Sequence, residues 1–216
     1  MEIEGNYERY GYLHIRELIP VEITRSFMRI IRDGLGPGPI KLGVSAQPGG
    51  VLCRPALEIH GRDYPPMDLF LWALTPIVAE LTGKAVLPTY AFFRIYREGD
   101  ICRVHSDRPA CEHSISLTLD YRDGAPWDLE VARERTPRGQ AVTEDFGIDG
   151  FSSIYPRVGD GVLYRGVDHR HGRTKPNPNA WSAHLFLHFV EREGRFAEHQ
   201  FDARPASGAV NFHFCK

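Results

Sequence analysis

The second half of the chain sets the tightest limit on its fold. From Val86 to Val190, short aromatic and β-branched runs follow one another, each cut by glycine or proline. Such runs suit strands joined by turns rather than helices. Residues 90–96 are aromatic and break at Gly99-Asp100, and residues 113–121 alternate polar with apolar. So do residues 127–132, and residues 141–146 follow a turn at 136–140 as the returning strand of a hairpin. Gly159-Asp160-Gly161 opens a strand at 162–166, and residues 183–190 close the series.

The first half reads differently. A short strand at 7–18 leads into Ile19-Pro20, then Ile23, Phe27, Ile30 and Ile31 recur at helical spacing up to Gly34. A second helix fits 67–81, with an apolar face of Leu69, Phe70, Ala73, Ile77, Val78 and Leu81 and a kink at Pro76. Between them residues 34–51 carry six glycines and three prolines, a long loop able to fold over a site. The fold class expected is mainly β with N-terminal helices, a sandwich or barrel core braced by two helices. All 216 residues fit one domain: 1–85 as helical support and loop, 86–190 as the β core and 191–216 as a C-terminal extension.

Composition excludes several classes of function. The formal charge of −2 and the lack of a basic run argue against nucleic acid as a partner. No apolar run reaches transmembrane length, and Met1 to Gly5 has no signal-peptide character. Cys53, Cys102, Cys111 and Cys215 follow no paired spacing and read as free thiols, so a cytoplasmic protein is expected, monomeric or homodimeric. The glycine-proline run lacks the lysine of a phosphate-binding loop, and no nucleophile elbow occurs.

Chemistry concentrates at His105-Ser106-Asp107. On extended backbone, residues two apart share a face, so an imidazole and a carboxylate point together. Two histidines and one carboxylate form the facial set that holds non-haem iron with positions left open. A second imidazole must come from afar, and Asp168-His169-Arg170-His171 is the segment that offers it. His169 and His171 also share a face if extended, so spacing alone leaves the choice between them open.

The order of these pieces resembles a known family. Tyr96-x-x-Gly99, His105-x-Asp107, Gly159-Asp160 and Tyr164-Arg165-Gly166 before a distal histidine are similar to the Fe(II)/2-oxoglutarate-dependent dioxygenases, in their prolyl-4-hydroxylase-like branch. The resemblance covers about residues 90–190 and implies a double-stranded β-helix, or jelly roll. It implies metal ligation by His105, Asp107 and His171, with Fe(II), 2-oxoglutarate and O2 as cofactor and cosubstrates. The activity implied is hydroxylation of an unactivated C–H bond, with oxidative decarboxylation of 2-oxoglutarate to succinate and CO2. Asp107 speaks against a halogenase, in which a small residue replaces that carboxylate.

On the same resemblance, Tyr96 and Tyr121 fall where relatives contact 2-oxoglutarate. Relatives place an arginine or lysine on the strand after the distal histidine, whereas this chain has Ala180-Trp181-Ser182-Ala183-His184. A buried carboxylate without a cation is costly. Arg94 is therefore the first candidate, with His184, Arg165 and Arg173 in reserve and Ser182 as a hydrogen-bond donor. Arg108 can steady Asp107 or meet substrate, while Trp181 and His188 either line the pocket or pack the sheet. The substrate expected is a small molecule or amino acid, or a protein side chain, with 34–51 and 122–155 as lids. The competing expectation is a cupin-like metal-binding β-barrel that senses or stores without oxygenase activity.

Overall fold

The alternation at residues 113–121 does not divide that strand into a wet and a dry face. Both of its faces are buried, the apolar one against helices and the polar one toward a second sheet. The computed structural model describes residues 2–35, 50–137 and 139–201. Most of the expected loop at 34–51, Cys215 and the end of the C-terminal extension lie outside the described residues.

In chain order the elements are β1 (Ile3–Asn6), α1 (Tyr7–Tyr10), β2 (Tyr12–Ile15), α2 (Val21–Leu35), β3 (Leu57–His60) and α3 (Pro66–Thr82). They continue with β4 (Val86–Arg97), β5 (Cys102–His105), β6 (His113–Tyr121), β7 (Leu129–Ala132) and β8 (Phe151–Ile154). The last are β9 (Gly161–Tyr164), β10 (His171–Arg173) and β11 (Trp181–Glu191). The larger sheet runs β1-β2-β9-β6-β11-β4-β3 and the smaller one β5-β10-β7-β8, every pairing antiparallel. From β4 onward the chain passes back and forth between the two sheets, with β7 and β8 the one consecutive pair in the same sheet. This is the jelly roll that the family resemblance implied.

α2 and α3 cover the outer face of the larger sheet. Phe27, Met28 and Ile31 of α2 and Met67, Leu71, Leu74 and Val78 of α3 form one core with Phe93, Ile115, Leu117, Leu185, Leu187 and Phe189. Each such side chain stabilises the fold by about 1.5–3 kcal/mol through burial. The helical faces are rotated from those expected: Ile23, Ile30 and Leu69 are exposed, as is Trp72. α3 is apolar nearly all round, so periodicity could not choose its buried side.

Two strand assignments also change. Residues 7–18 are not one strand: after β1 comes a single helical turn capped by the Asn6 side chain and closed by Gly11 (φ +72°), and only then β2. Residues 141–146 contribute one isolated bridge, Val104 to Thr143, and β7 pairs instead with β8 and β10. The 122–155 segment therefore supplies two strands of the smaller sheet and is not a lid along its whole length.

Gly159-Asp160 proves to be a joint. Asp160 Oδ2 accepts from His14 Nε2 (3.0 Å) and the Arg157 amide (2.9 Å), and Oδ1 accepts from the Glu17 amide (2.9 Å). These bonds tie the N-terminal strands to the entrance of β9.

Candidate active site

The smaller sheet brings the histidines together. β5 and β10 pair so that His105 stands opposite His171, but Arg173 then stands opposite Cys102. Three residues of β5 thus span two of β10, a bulge that turns Cys102 and His105 to the same side. Gly172 permits this approach, since a Cβ there would lie 2.8 Å from the Cys102 carbonyl oxygen. Asp107 follows the end of β5, its amide bonded to the Gly166 carbonyl (2.8 Å).

The side chains converge. Nε2 of His105 and Nε2 of His171 each lie 3.5 Å from Asp107 Oδ1, and the two ring centroids are 4.5 Å apart. Each ring is held from behind: His105 Nδ1 donates to the Arg103 carbonyl (2.7 Å) and His171 Nδ1 to the His169 carbonyl (3.0 Å). Those bonds place the proton on Nδ1 and aim the Nε2 lone pair at the cluster, the arrangement a metal-binding histidine needs. Burial alone would raise the Asp107 pKa, yet His171 and His105 hold it well below the usual carboxylate range. Burial opposes charge on His105 too, but Cys102 and Asp107 push its pKa up to about 10. The cluster thus favours positive charge at its centre, which a divalent ion displacing the proton of His105 Nε2 would supply, and the ligands are of fitting type.

His169 turns elsewhere. Its Nδ1 donates to the Ala132 carbonyl (2.8 Å), and its ring lies so close to Gly11 that a Cβ there would come within 2.5 Å. Gly166 has the matching role at the cluster, since its Cβ would fall 2.3 Å from Asp107 Oδ2.

A cavity of about 410 Å³ opens in front of the trio, within the range of small-molecule sites. Tyr90, Phe92, Phe186 and His188 form an aromatic wall, with Tyr90 and His188 centroids 4.6 Å apart. Arg108 lies over the Tyr90 ring (4.2 Å) and donates to its hydroxyl (3.2 Å). His188 Nδ1 meets Ser114 Oγ at 2.8 Å, and its buried Nε2 has no hydrogen-bond partner among the described residues.

The cations sort themselves by partner. Arg94 lines the cavity, donates to Tyr96 Oη (2.8 Å) and is paired with Glu58, a residue of β3 that no sequence signal marked. Arg173 lies two residues beyond His171 on the cavity side and is 1% exposed. It donates to the Trp127 carbonyl and to Ser116 Oγ (3.4 Å) and stacks on the Trp127 ring (4.8 Å). Among the described residues, no carboxylate lies within ion-pair distance of it. Arg165 points out of this cavity to Glu8 (2.6 Å) and the Tyr7 carbonyl.

Tyr121, Ser182 and His184 do not line the cavity. Tyr121 Oη donates to the Pro156 carbonyl (3.1 Å), and Ser182 Oγ accepts from Asn177 Nδ2 (3.1 Å). His184 packs among the rings of Tyr96, Tyr121 and Trp127. Burial, then Arg173 and Arg94, keep its pKa well below the ordinary histidine value. Trp181 packs against the helix-side core.

No protein-family model and no curated protein sequence matches the chain. Solved structures do match. A prolyl-4-hydroxylase from Pseudomonas putida shares 15% identity over 86% of this chain and 95% of its own, with a TM-score of 0.58. The non-heme alpha-ketoglutarate-dependent carbocyclase SnoK from nogalamycin biosynthesis shares 12% over 94% and 91%, TM-score 0.66. HygX from Streptomyces hygroscopicus, crystallised with nickel, 2-oxoglutarate and hygromycin B, shares 12% over 87% and 85%, TM-score 0.61. At such identities the likeness establishes the fold, and this chain has the jelly roll of those proteins. None of the three favours a storage or sensing barrel.

Proposed function

We propose that this chain is an Fe(II)- and 2-oxoglutarate-dependent oxygenase of the prolyl-4-hydroxylase-like type, acting on a small molecule or amino-acid side chain. One observation carries the reading: two imidazole lone pairs and a carboxylate converge at the floor of a cavity that also holds a buried, carboxylate-free guanidinium. His105, Asp107 and His171 are the metal ligands, and His169 belongs to the packing around Gly11.

When bound, Fe(II) with 2-oxoglutarate and O2 supplies the oxidation, one oxygen atom leaving in succinate and the other available for the substrate C–H bond. The protein binds and aims. Arg173 takes the far carboxylate of 2-oxoglutarate, since Glu58 already neutralises Arg94. Arg94 then acts by fixing the Tyr96 hydroxyl beside that anion. Leu129 and Tyr164 shield the ligands from water, and the Tyr90–Phe92–Phe186 wall receives an apolar part of the substrate. Hydroxylation is the outcome proposed. The similar fold of a carbocyclase shows that the scaffold also hosts ring closure.

The test is protein purified without oxygen, loaded with Fe(II) and given 2-oxoglutarate and O2. Succinate release that His171→Ala abolishes supports the proposal. Release unchanged by that substitution refutes the ligand assignment, and no release from wild type with any candidate substrate refutes the activity.

A further inference from the structure

A second cavity, also about 410 Å³, lies where β6 begins and β11 ends, among Lys84, Glu112, His113, Arg165, Glu191 and Arg195. His113 is 1% exposed, and its buried Nε2 has no hydrogen-bond partner among the described residues. A buried polar atom left unpaired in a cavity costs stability unless something fills the place. The ring faces two carboxylates: ligand atoms of Glu112, His113 and Glu191 all lie within 4.8 Å of one another, His113 Nε2 to Glu191 Oε1 being 3.9 Å. We propose that Glu112, His113 and Glu191 bind a divalent transition-metal ion, separate from the His105 cluster.

The donor set suits such an ion. One imidazole and two carboxylates are borderline-to-hard ligands of the kind that hold zinc or manganese, with water completing the shell. Behind the ring, His113 Nδ1 meets Tyr7 Oη at 2.6 Å. With the Nδ1 proton donated to that oxygen, the Nε2 lone pair points at the carboxylates, as a metal requires.

Of the cations lining the cavity, Arg165 is paired with Glu8 (2.6 Å), and the two that pair with the proposed ligands compete weakly. Lys84 Nζ is 3.8 Å from Glu191 Oε1, and Arg195 Nε is 3.3 Å from Glu112 Oε1. Both cations are about half exposed, and exposed pairs contribute little. Glu112 Oε2 also accepts the Glu191 amide (2.9 Å), yet each carboxylate oxygen keeps a further lone pair for metal.

The placement gives the ion a structural role. His113 and Ser114 are successive residues of β6 and face opposite ways, and the Ser114 hydroxyl lies 3.4 Å from Asp107 Oδ2 and 2.8 Å from His188 Nδ1. An ion joining His113 to Glu191 pins β6 to β11 directly behind that contact.

The experiment is equilibrium dialysis against Zn²⁺ with metal analysis of the full chain. Wild type is expected to hold two equivalents, His171→Ala one, His113→Ala one and the double variant none. The one equivalent retained by His171→Ala should raise its melting temperature. Should His113→Ala fail to fold, Glu191→Gln serves instead, with the second equivalent weakened at least about tenfold. His113→Ala or Glu191→Gln binding two equivalents as tightly as wild type overturns the proposal, and so does His171→Ala binding none. Loss of the other equivalent alone bears only on the His105 cluster.

Discussion

Replacing Arg173 by methionine removes the guanidinium and keeps most of the volume above Trp127. Arg173 is 1% exposed and two residues from His171, so an anion bound against it is shielded from solvent. Stripping the partner from a buried charge costs about 3–5 kcal/mol. At about 1.4 kcal/mol per tenfold, 2-oxoglutarate should bind roughly 150- to 4,000-fold more weakly to Arg173→Met. Arg173→Lys keeps the charge but loses the fork that reaches both the Trp127 carbonyl and Ser116, so an intermediate loss is expected. Arg94→Met/Glu58→Gln removes the neutralised pair together, leaving no unpaired carboxylate in the cavity, and should weaken binding by less than about tenfold. Anaerobic calorimetry of 2-oxoglutarate into Fe(II)-loaded protein measures all three, with circular dichroism as the folding control. A large loss in Arg94→Met/Glu58→Gln beside near-normal binding in Arg173→Met would show that the cation has been misassigned.

Three further outcomes test the structural account. Gly166→Ala sets a methyl 2.3 Å from Asp107 Oδ2 and 2.6 Å from the Cys111 carbonyl oxygen, so metal affinity should drop at least about tenfold in a folded protein. Asp160→Ala deletes the acceptor of three bonds from His14, Glu17 and Arg157 and should cost about 3 kcal/mol in urea unfolding, with metal stoichiometry unchanged. With chelator present, His113 lowers stability in acid. Its folded pKa of about 3 lies below the ordinary 6.5, so between those values the unfolded chain binds the extra proton and stability falls as pH drops. From pH 6.5 to 5 the loss is about 2 kcal/mol, and His113→Gln should flatten that part of the profile.

Local pattern revealed much of the fold, the family resemblance suggested the trio of His105, Asp107 and His171, and long-range contact decided the rest. Strand runs at 90–96, 113–121 and 183–190 were legible because aromatic and alternating residues persist for seven or more positions. β3, β8 and β10 are three or four residues long and carry no such pattern, so only pairing defines them. The alternation in β6 does not say where its polar half goes, and Ser114, Ser116 and Thr118 are all buried. His105 and Asp107 were readable from spacing. The choice of His171 over His169 depends on Gly11, which draws the His169 ring aside from a distant loop. Arg94 and Tyr96 do share a cavity-facing side, but Glu58 arrives from β3, and nothing near it in sequence announces the pair. Cys102 reaches the cavity only through the bulge against β10, which no periodicity contains.

The central claim is that His105, Asp107 and His171 hold iron so that 2-oxoglutarate can chelate it. Titrating 2-oxoglutarate into anaerobic Fe(II)-loaded protein and recording the visible spectrum tests this most directly. The account requires a weak metal-to-ligand charge-transfer band in wild type and in His169→Ala, and its loss in His171→Ala. No band in wild type, or one that survives His171→Ala and disappears in His169→Ala, would contradict it.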